Sequence, residues 1–212
     1  SNTPTLTSTG DCTWLSAASS FGQSVSNTWY NTDGSTVKNV TIGKATNTAN
    51  VTIGRSLNFT GDLNIYGGTI DVTSNITSSG TGDIFMQAVT AANSSIDIQG
   101  NILKNGGENS TLTLKGAGRV QVRNPITATN SGGMNVVLWS DYDGGDQGGL
   151  SINSNISTGG GHFWAGGSDT VAGSLTWNGL TVGNGGSVGN SGYNHNAMDL
   201  YGNIATSGGH VM

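Results

Sequence analysis

The chain has 212 residues, 36 of them glycine and two proline, with 9% charged residues and a net charge of −5. Its seven Lys and Arg are scattered singly and form no basic stripe for phosphates, which argues against nucleic acid as a partner. No apolar run of about 18 residues is present for membrane insertion, and the single cysteine, Cys12, has no second thiol in the chain to pair with.

Residues 1–37 keep no period and carry Trp14, Phe21, Trp29 and Tyr30. They read as an N-terminal cap or the edge of a preceding module, whose rings cover the first repeat. Regularity starts at residue 38. Asn39-Val-Thr-Ile42-Gly43 returns as Asn50-Val-Thr-Ile53-Gly54, and the short alternating runs Leu57-Asn-Phe59, Leu63-Asn-Ile65 and Ile70-Asp-Val72 follow. One apolar side chain in every two is the pattern of a strand with one buried face, and no window holds a helical apolar stripe. Ile70-Asp-Val72-Thr-Ser-Asn75-Ile76 then recurs as Ile96-Asp-Ile98-Gln-Gly-Asn101-Ile102 and as Val120-Gln-Val122-Arg-Asn-Pro125-Ile126. Two further copies are Leu150-Ser-Ile152-Asn-Ser-Asn155-Ile156 and Met198-Asp-Leu200-Tyr-Gly-Asn203-Ile204.

The closing isoleucines of these copies lie 26, 24, 30 and 48 residues apart. The last step reads as two of 24, with Leu180 of Gly179-Leu180-Thr-Val182 on the intermediate one. A unit of this length cannot bury its own apolar face and stacks on its neighbours. The expected fold is all-β: a right-handed parallel β-helix (β-solenoid) with about 24 residues per coil over residues 38–212. Ile76, Ile102, Ile126, Ile156, Leu180 and Ile204 should then stand in one internal file. The length allows about eight or nine coils, a rod of about 40 Å at about 4.8 Å per coil. Around Leu175 and Trp177 the pattern slips by one place, which reads as a bulge or a longer loop. Val211-Met212 falls inside a strand, so the chain reads as part of a longer parent.

Candidate sites are few. Asp141-Tyr-Asp143-Gly-Gly-Asp146 sets carboxylates around a glycine in an insert beyond the period, the arrangement that hard cations use. Asp141, Asp143 and Asp146 are therefore a candidate calcium site, weighed against a solvated acidic loop. The reading includes no catalytic residue and no other cofactor. His162, His195 and His210 have no nucleophile beside them, and His162 and His210 fill the same place in two copies, which points to a structural role. Asp62, Asp71, Asp83, Asp97 and Asp199 mostly alternate with core positions and read as solvated outer-face groups. The seven Asn-x-Ser/Thr sequons, among them Asn75 and Asn155, reflect composition; corner asparagines cap turns and can stack into a hydrogen-bonded ladder.

Leu138-Trp-Ser-Asp-Tyr-Asp-Gly, Ile152-Asn-Ser-Asn-Ile-Ser-Thr-Gly-Gly-Gly-His and Leu200-Tyr-Gly-Asn-Ile-Ala-Thr-Ser-Gly-Gly-His resemble the repeat regions of large bacterial surface adhesins. The group they are most similar to is the filamentous-haemagglutinin-like adhesins, over about residues 38–212. That resemblance implies a secreted, extracellular, cell-surface β-helical stalk whose partners are host or neighbouring-cell surface glycans or proteins. The secretion module of that family carries Asn-Pro-Asn motifs, and Asn124-Pro125-Ile126 departs from them. The expected function is a non-catalytic adhesin rod that works by avidity over many weak contacts. Two rivals stand beside it: a self-assembling fibre or surface-layer subunit with end-to-end or lateral association, and a polysaccharide lyase or hydrolase on the same fold. An ice-binding array is disfavoured, since no flat array of Thr-x-Thr in register extends beyond Thr111-Leu-Thr113.

Overall fold

The computed structural model describes residues 9–29, 36–91, 95–129, 133–145, 148–167, 173–184 and 198–212. Each coil of the chain supplies three short strands. The first coil holds β1 (Cys12–Trp14), β2 (Val25–Ser26) and β3 (Thr36–Val37); the second holds β4 (Val40–Ile42), β5 (Val51–Ile53) and β6 (Leu57–Phe59). The third has β7 (Leu63–Gly67), β8 (Ile70–Val72) and β9 (Ile76–Ser78), and the fourth β10 (Ile84–Ala88), β11 (Ile96–Ile98) and β12 (Ile102–Lys104). In the fifth come β13 (Ser110–Gly116), β14 (Val120–Val122) and β15 (Ile126–Ala128), and in the sixth β16 (Met134–Trp139), β17 (Leu150–Ile152) and β18 (Ile156–Ser157). The seventh opens with β19 (Phe163–Gly166), is interrupted by β20 (Ser174–Trp177) and β21 (Leu180–Gly183), and finishes with β22 (Met198–Leu200) and β23 (Ile204–Ala205). Among the described residues the helical element is one 3-10 turn, Asn27–Trp29, and no helix is long and apolar enough to cross a membrane.

Like strands of successive coils pair in parallel, giving three seven-stranded sheets around one apolar interior. The first sheet runs from β1 to β19, the second from β2 to β22 and the third from β3 to β23. The protein is therefore a parallel β-solenoid. Through the first six coils the register steps vary from 19 residues (Val51 to Ile70) to 30 (Val120 to Leu150), and the slack is taken up in the turns. Seven coils at about 4.8 Å each make a stack of about 30 Å, shorter than the eight or nine expected.

The reason lies in the last step. Ile156 pairs directly with Ile204, and Leu150 with Met198, so the 48-residue interval is a single coil and not two. Leu180 is outside the file. It sits on β21, which pairs antiparallel with β20 through Asn178 (φ 45°) and Gly179 (φ 79°). Two central residues with positive φ make the hairpin turn whose twist matches its strands, and Asn-Gly is the pair that reaches it at least strain. The hairpin explains the slip at Leu175 and Trp177: their alternation belongs to a separate two-stranded ribbon. Its apolar side packs with Val137, Trp139 and Trp164 on the outside of the first sheet, where Leu180 and Val182 join a second small apolar cluster.

Inside the stack the expected file is otherwise present. Ile76, Ile102, Ile126 and Ile156 are each fully buried, and Ile204 packs partly buried against the same core. The first sheet adds Ile42, Ile65, Leu114 and Leu138, and the second Ile53, Val72, Ile98 and Val122, all at 1% exposure or less. Each contributes about 1.5–3 kcal/mol by leaving water. Trp14 and Phe21 of the first coil pack against this core from its end.

Close approach at the corners dictates glycine. A Cβ on Gly100 would lie 2.0 Å from the carbonyl oxygen of Ser74 one coil below, and one on Gly202 would lie 2.0 Å from that of Ser154. These two glycines fill the same place in two coils, before Asn101 and Asn203.

Candidate functional site

Since the interior is packed, any site lies on an outer face. Corner side chains first hold the coils in register. Asn75 Oδ1 accepts the Asn101 backbone N–H at 3.0 Å, and Asn155 Oδ1 accepts that of Asn203 at 3.0 Å. This is the asparagine ladder expected from the repeat, and it breaks at Pro125, which has no N–H to donate.

A second ladder, unforeseen in the sequence, precedes the first sheet. Asn39 Oδ1 accepts the Asp62 N–H at 2.7 Å, Asp62 Oδ1 that of Asp83 at 3.0 Å, and Asp83 Oδ1 that of Thr111 at 2.7 Å. Asn135 Oδ1 then accepts from His162 at 2.9 Å, and His162 Nδ1 accepts from His210 at 3.0 Å. The repeated histidines thus have the structural role their position suggested, with ring centroids 5.1 Å apart, and Trp177 of the hairpin meets His162 edge-on at 5.8 Å. His195 lies outside the described residues.

The outward side chains of the first sheet form a groove of about 510 Å³ that crosses coils three to six. Register places Asn64, Phe85 and Thr113 in one file and Tyr66, Gln87, Lys115 and Trp139 in the next. Asp62 and Asp83 edge the groove on one side, and Gly179, Leu180 and Thr181 of the hairpin close one end. Tyr66 and Phe85 have ring centroids 5.7 Å apart at 51°, and both rings are half-buried. The Lys115 ammonium lies 4.5 Å from the Trp139 ring centroid and 4.6 Å from that of Tyr142. A cation over two aromatic faces is attracted by both quadrupoles. Burial lowers the Lys115 pKa, and burial followed by the charge of Asp143 raises that of Tyr142, against a hydrogen bond from Gln87.

The second sheet carries an outer file of Asp71, Asp97, Gln121, Ser151 and Asp199. These carboxylates are on the outer face as expected, but Asp97 is not solvated: it is 5% exposed. Arg123 Nε donates to its Oδ1 at 2.7 Å and Gln99 Nε2 to its Oδ2 at 3.0 Å, so long polar side chains from neighbouring positions cover it. Asp199 pairs with Arg119 at 3.5 Å. Burial, and then the charge of Asp97, raise the pKa of Asp71.

Of the candidate calcium ligands, Asp141 is buried in a left-handed backbone conformation (φ 50°) against Gly148, and Asp143 is exposed. Asp146 lies outside the described residues. Among the described residues no three of His, Cys, Asp and Glu come together as a metal cluster.

Two further features escaped the reading of the sequence. Lys104 points into the core at the third sheet, with no solvent exposure, and its ammonium donates to Ser78 Oγ at 3.3 Å and to the Gly80 carbonyl. Burial lowers its pKa, opposed by the negative charge of Asp83. Its place after Ile102-Leu103, in step with Ser78 and Ala128, marked it as inward-facing. The groove was hidden because its aromatic and acidic residues come from four coils. Only the hairpin that closes it had a local signal, Asn178-Gly179 between two alternating runs. Set against known proteins, the chain finds no counterpart: no protein-family model, no curated protein and no solved structure matches it.

Proposed function

We propose that this chain is a segment of a cell-surface adhesin: a rod outside the cell that spaces and presents binding surfaces and catalyses no reaction. The observation that carries the reading is the division of labour in the stack. Three in-register sheets bury most of the apolar side chains, and their outer files are mostly Thr, Asn, Gln, Ser, Asp and a few aromatic rings, with Leu103, Lys115 and Val137 among them. Such a surface is repeated along an axis, so weak contacts add by avidity when many are engaged together. The style of the repeat, similar to that of filamentous-haemagglutinin-like adhesins, supports the same reading, with surface glycans or proteins as partners.

A glycan array probed with the purified chain tests it, with and without a chelator. Binding to a defined set of cell-surface glycans, with no release of reducing sugar, is the expected result. Absence of binding to the array and to whole cells, or turnover of a bound glycan, refutes it. Loss of binding on chelation would assign Asp141, Asp143 and Asp146 a part in holding calcium.

End-to-end self-association is a second reading. Leu200, Tyr201, Val211 and Met212 of the last described coil are 54–77% exposed, a surface on which a further coil, of this chain or of another copy, would stack. Concentration-dependent growth in light scattering is its signature.

A further inference from the structure

The groove over the first sheet has a composition that a structural face does not need. Asp62 and Asp83 occupy adjacent ladder positions, each using one oxygen to accept the backbone N–H of the next coil. Asn39 and Asn135 perform that task without charge in the same ladder. Two like charges on neighbouring strands, about 4.8 Å apart, oppose one another. Asp83 also offsets the charge of the buried Lys104, but the ladder itself accounts for acid at neither place, and they are the ladder positions, with Thr111, that line the groove. Beside them Tyr66 and Phe85, on adjacent coils, are each partly exposed.

We propose that this groove binds an extended neutral polysaccharide lying along the axis of the stack. Aromatic faces take the C–H faces of sugar rings, as they take other flat or weakly polar surfaces. Carboxylates, the Asn64 amide and the Thr111 and Thr113 hydroxyls supply the acceptors and donors that sugar hydroxyls require. Successive coils bring Asp62, Asn64 and Tyr66, then Asp83 and Phe85, then Thr111, Thr113 and Lys115, so a linear polymer parallel to the axis meets polar groups or a ring at each step. Charge selects the class: two carboxylates against the single Lys115 ammonium leave the groove negative, which repels uronic-acid and sulfated chains as well as nucleic acid. The inference rests on the reading of the rod as a binding surface and gives that surface a ligand class and a place.

Isothermal titration of the chain with short β-glucan, mannan and N-acetylhexosamine oligomers tests it, with an oligogalacturonate as the acidic arm. At least one neutral oligomer should bind and change the tryptophan fluorescence, unaffected by chelator, while oligogalacturonate binds at least about tenfold more weakly. Tyr66→Ala and Phe85→Ala should each weaken neutral binding about tenfold or more, and Thr127→Ala on the third sheet should leave it unchanged. Asp83→Asn keeps the acceptor for the Thr111 N–H, so the fold is retained while discrimination against the acidic oligomer falls. Circular dichroism confirms that each variant is folded. Undiminished binding in Tyr66→Ala and Phe85→Ala overturns the groove but leaves the adhesin reading standing. Preference for the acidic oligomer overturns the proposed ligand class, and loss of binding on chelation puts the site at a bound cation and overturns the groove. A wild type that binds none of these oligomers overturns the groove as a polysaccharide site, while the adhesin reading is decided by the array and the whole cells.

Discussion

Ile126 and Leu180 have similar volumes and similar places in the apparent repeat, but the structure gives them different work, and truncating each tests the fold directly. Ile126 is fully buried between Ile102 and Ile156 in the third sheet. Ile126→Ala removes three buried carbons, about 2.4 kcal/mol at about 0.8 kcal/mol per group. The cavity left in a stack pinned on both sides brings the cost toward the upper part of the usual ~2–5 kcal/mol. For a chain of this length that lowers the thermal midpoint by roughly 8–20 °C. Leu180, 8% exposed, holds a two-stranded hairpin against Val137, Trp139 and Trp164. Because that hairpin can undock while the coils stay paired, Leu180→Ala costs about 2 kcal/mol or less, paid locally. Urea unfolding followed by far-ultraviolet circular dichroism reports the sheets, and tryptophan fluorescence reports the hairpin interface. Ile126→Ala should shift both transitions together, whereas Leu180→Ala should advance the fluorescence change and leave the dichroism midpoint nearly in place. Equal loss of the dichroism midpoint in both variants would put Leu180 back among the stacked residues and refute the single long coil.

Asn155→Ala should destabilise by about 1 kcal/mol, because the Asn203 N–H loses its acceptor, and Asn155→Asp should be near neutral, since it keeps one; chemical denaturation of the two variants decides it. A pH dependence follows from Lys104 and Lys115, whose folded pKa values lie below the ordinary 10.5. Between those lowered values and 10.5 these two groups bind more protons in the unfolded chain than in the folded one, so their contribution to stability rises with pH across that window. Tyr142 and Cys12, whose folded pKa values are raised by burial, contribute the opposite slope, so the comparison is between proteins. Urea midpoints of Lys104→Met should change less favourably with rising alkaline pH than those of the wild type, and equal slopes refute the burial argument for Lys104.

Much of this protein can be read along the chain. Alternation in Ile70-Asp-Val72 and its copies dictates strands, and the recurrence of Asn-Ile at the corner dictates stacking, since each copy exposes an apolar edge that only a neighbour covers. Burial of Ile76 through Ile156, the Asn75 and Asn155 ladder and the paired places of His162 and His210 all follow from that local pattern. Three things were decided by the tertiary structure. The 48-residue step became one coil because the Asn178-Gly179 turn closes Leu175–Val182 on itself, and an antiparallel pairing satisfied within the segment leaves nothing to join the parallel sheets. Asp97 became buried because Arg123 and Gln99, remote or adjacent in sequence, meet over it. The groove exists because stacking gathers Asp62, Asp83, Phe85 and Lys115 from separate coils onto one face. A periodic sequence specifies what points inward, since every coil solves the same burial problem; which outward side chains become neighbours depends on the length of each turn, and so on the register of the whole stack.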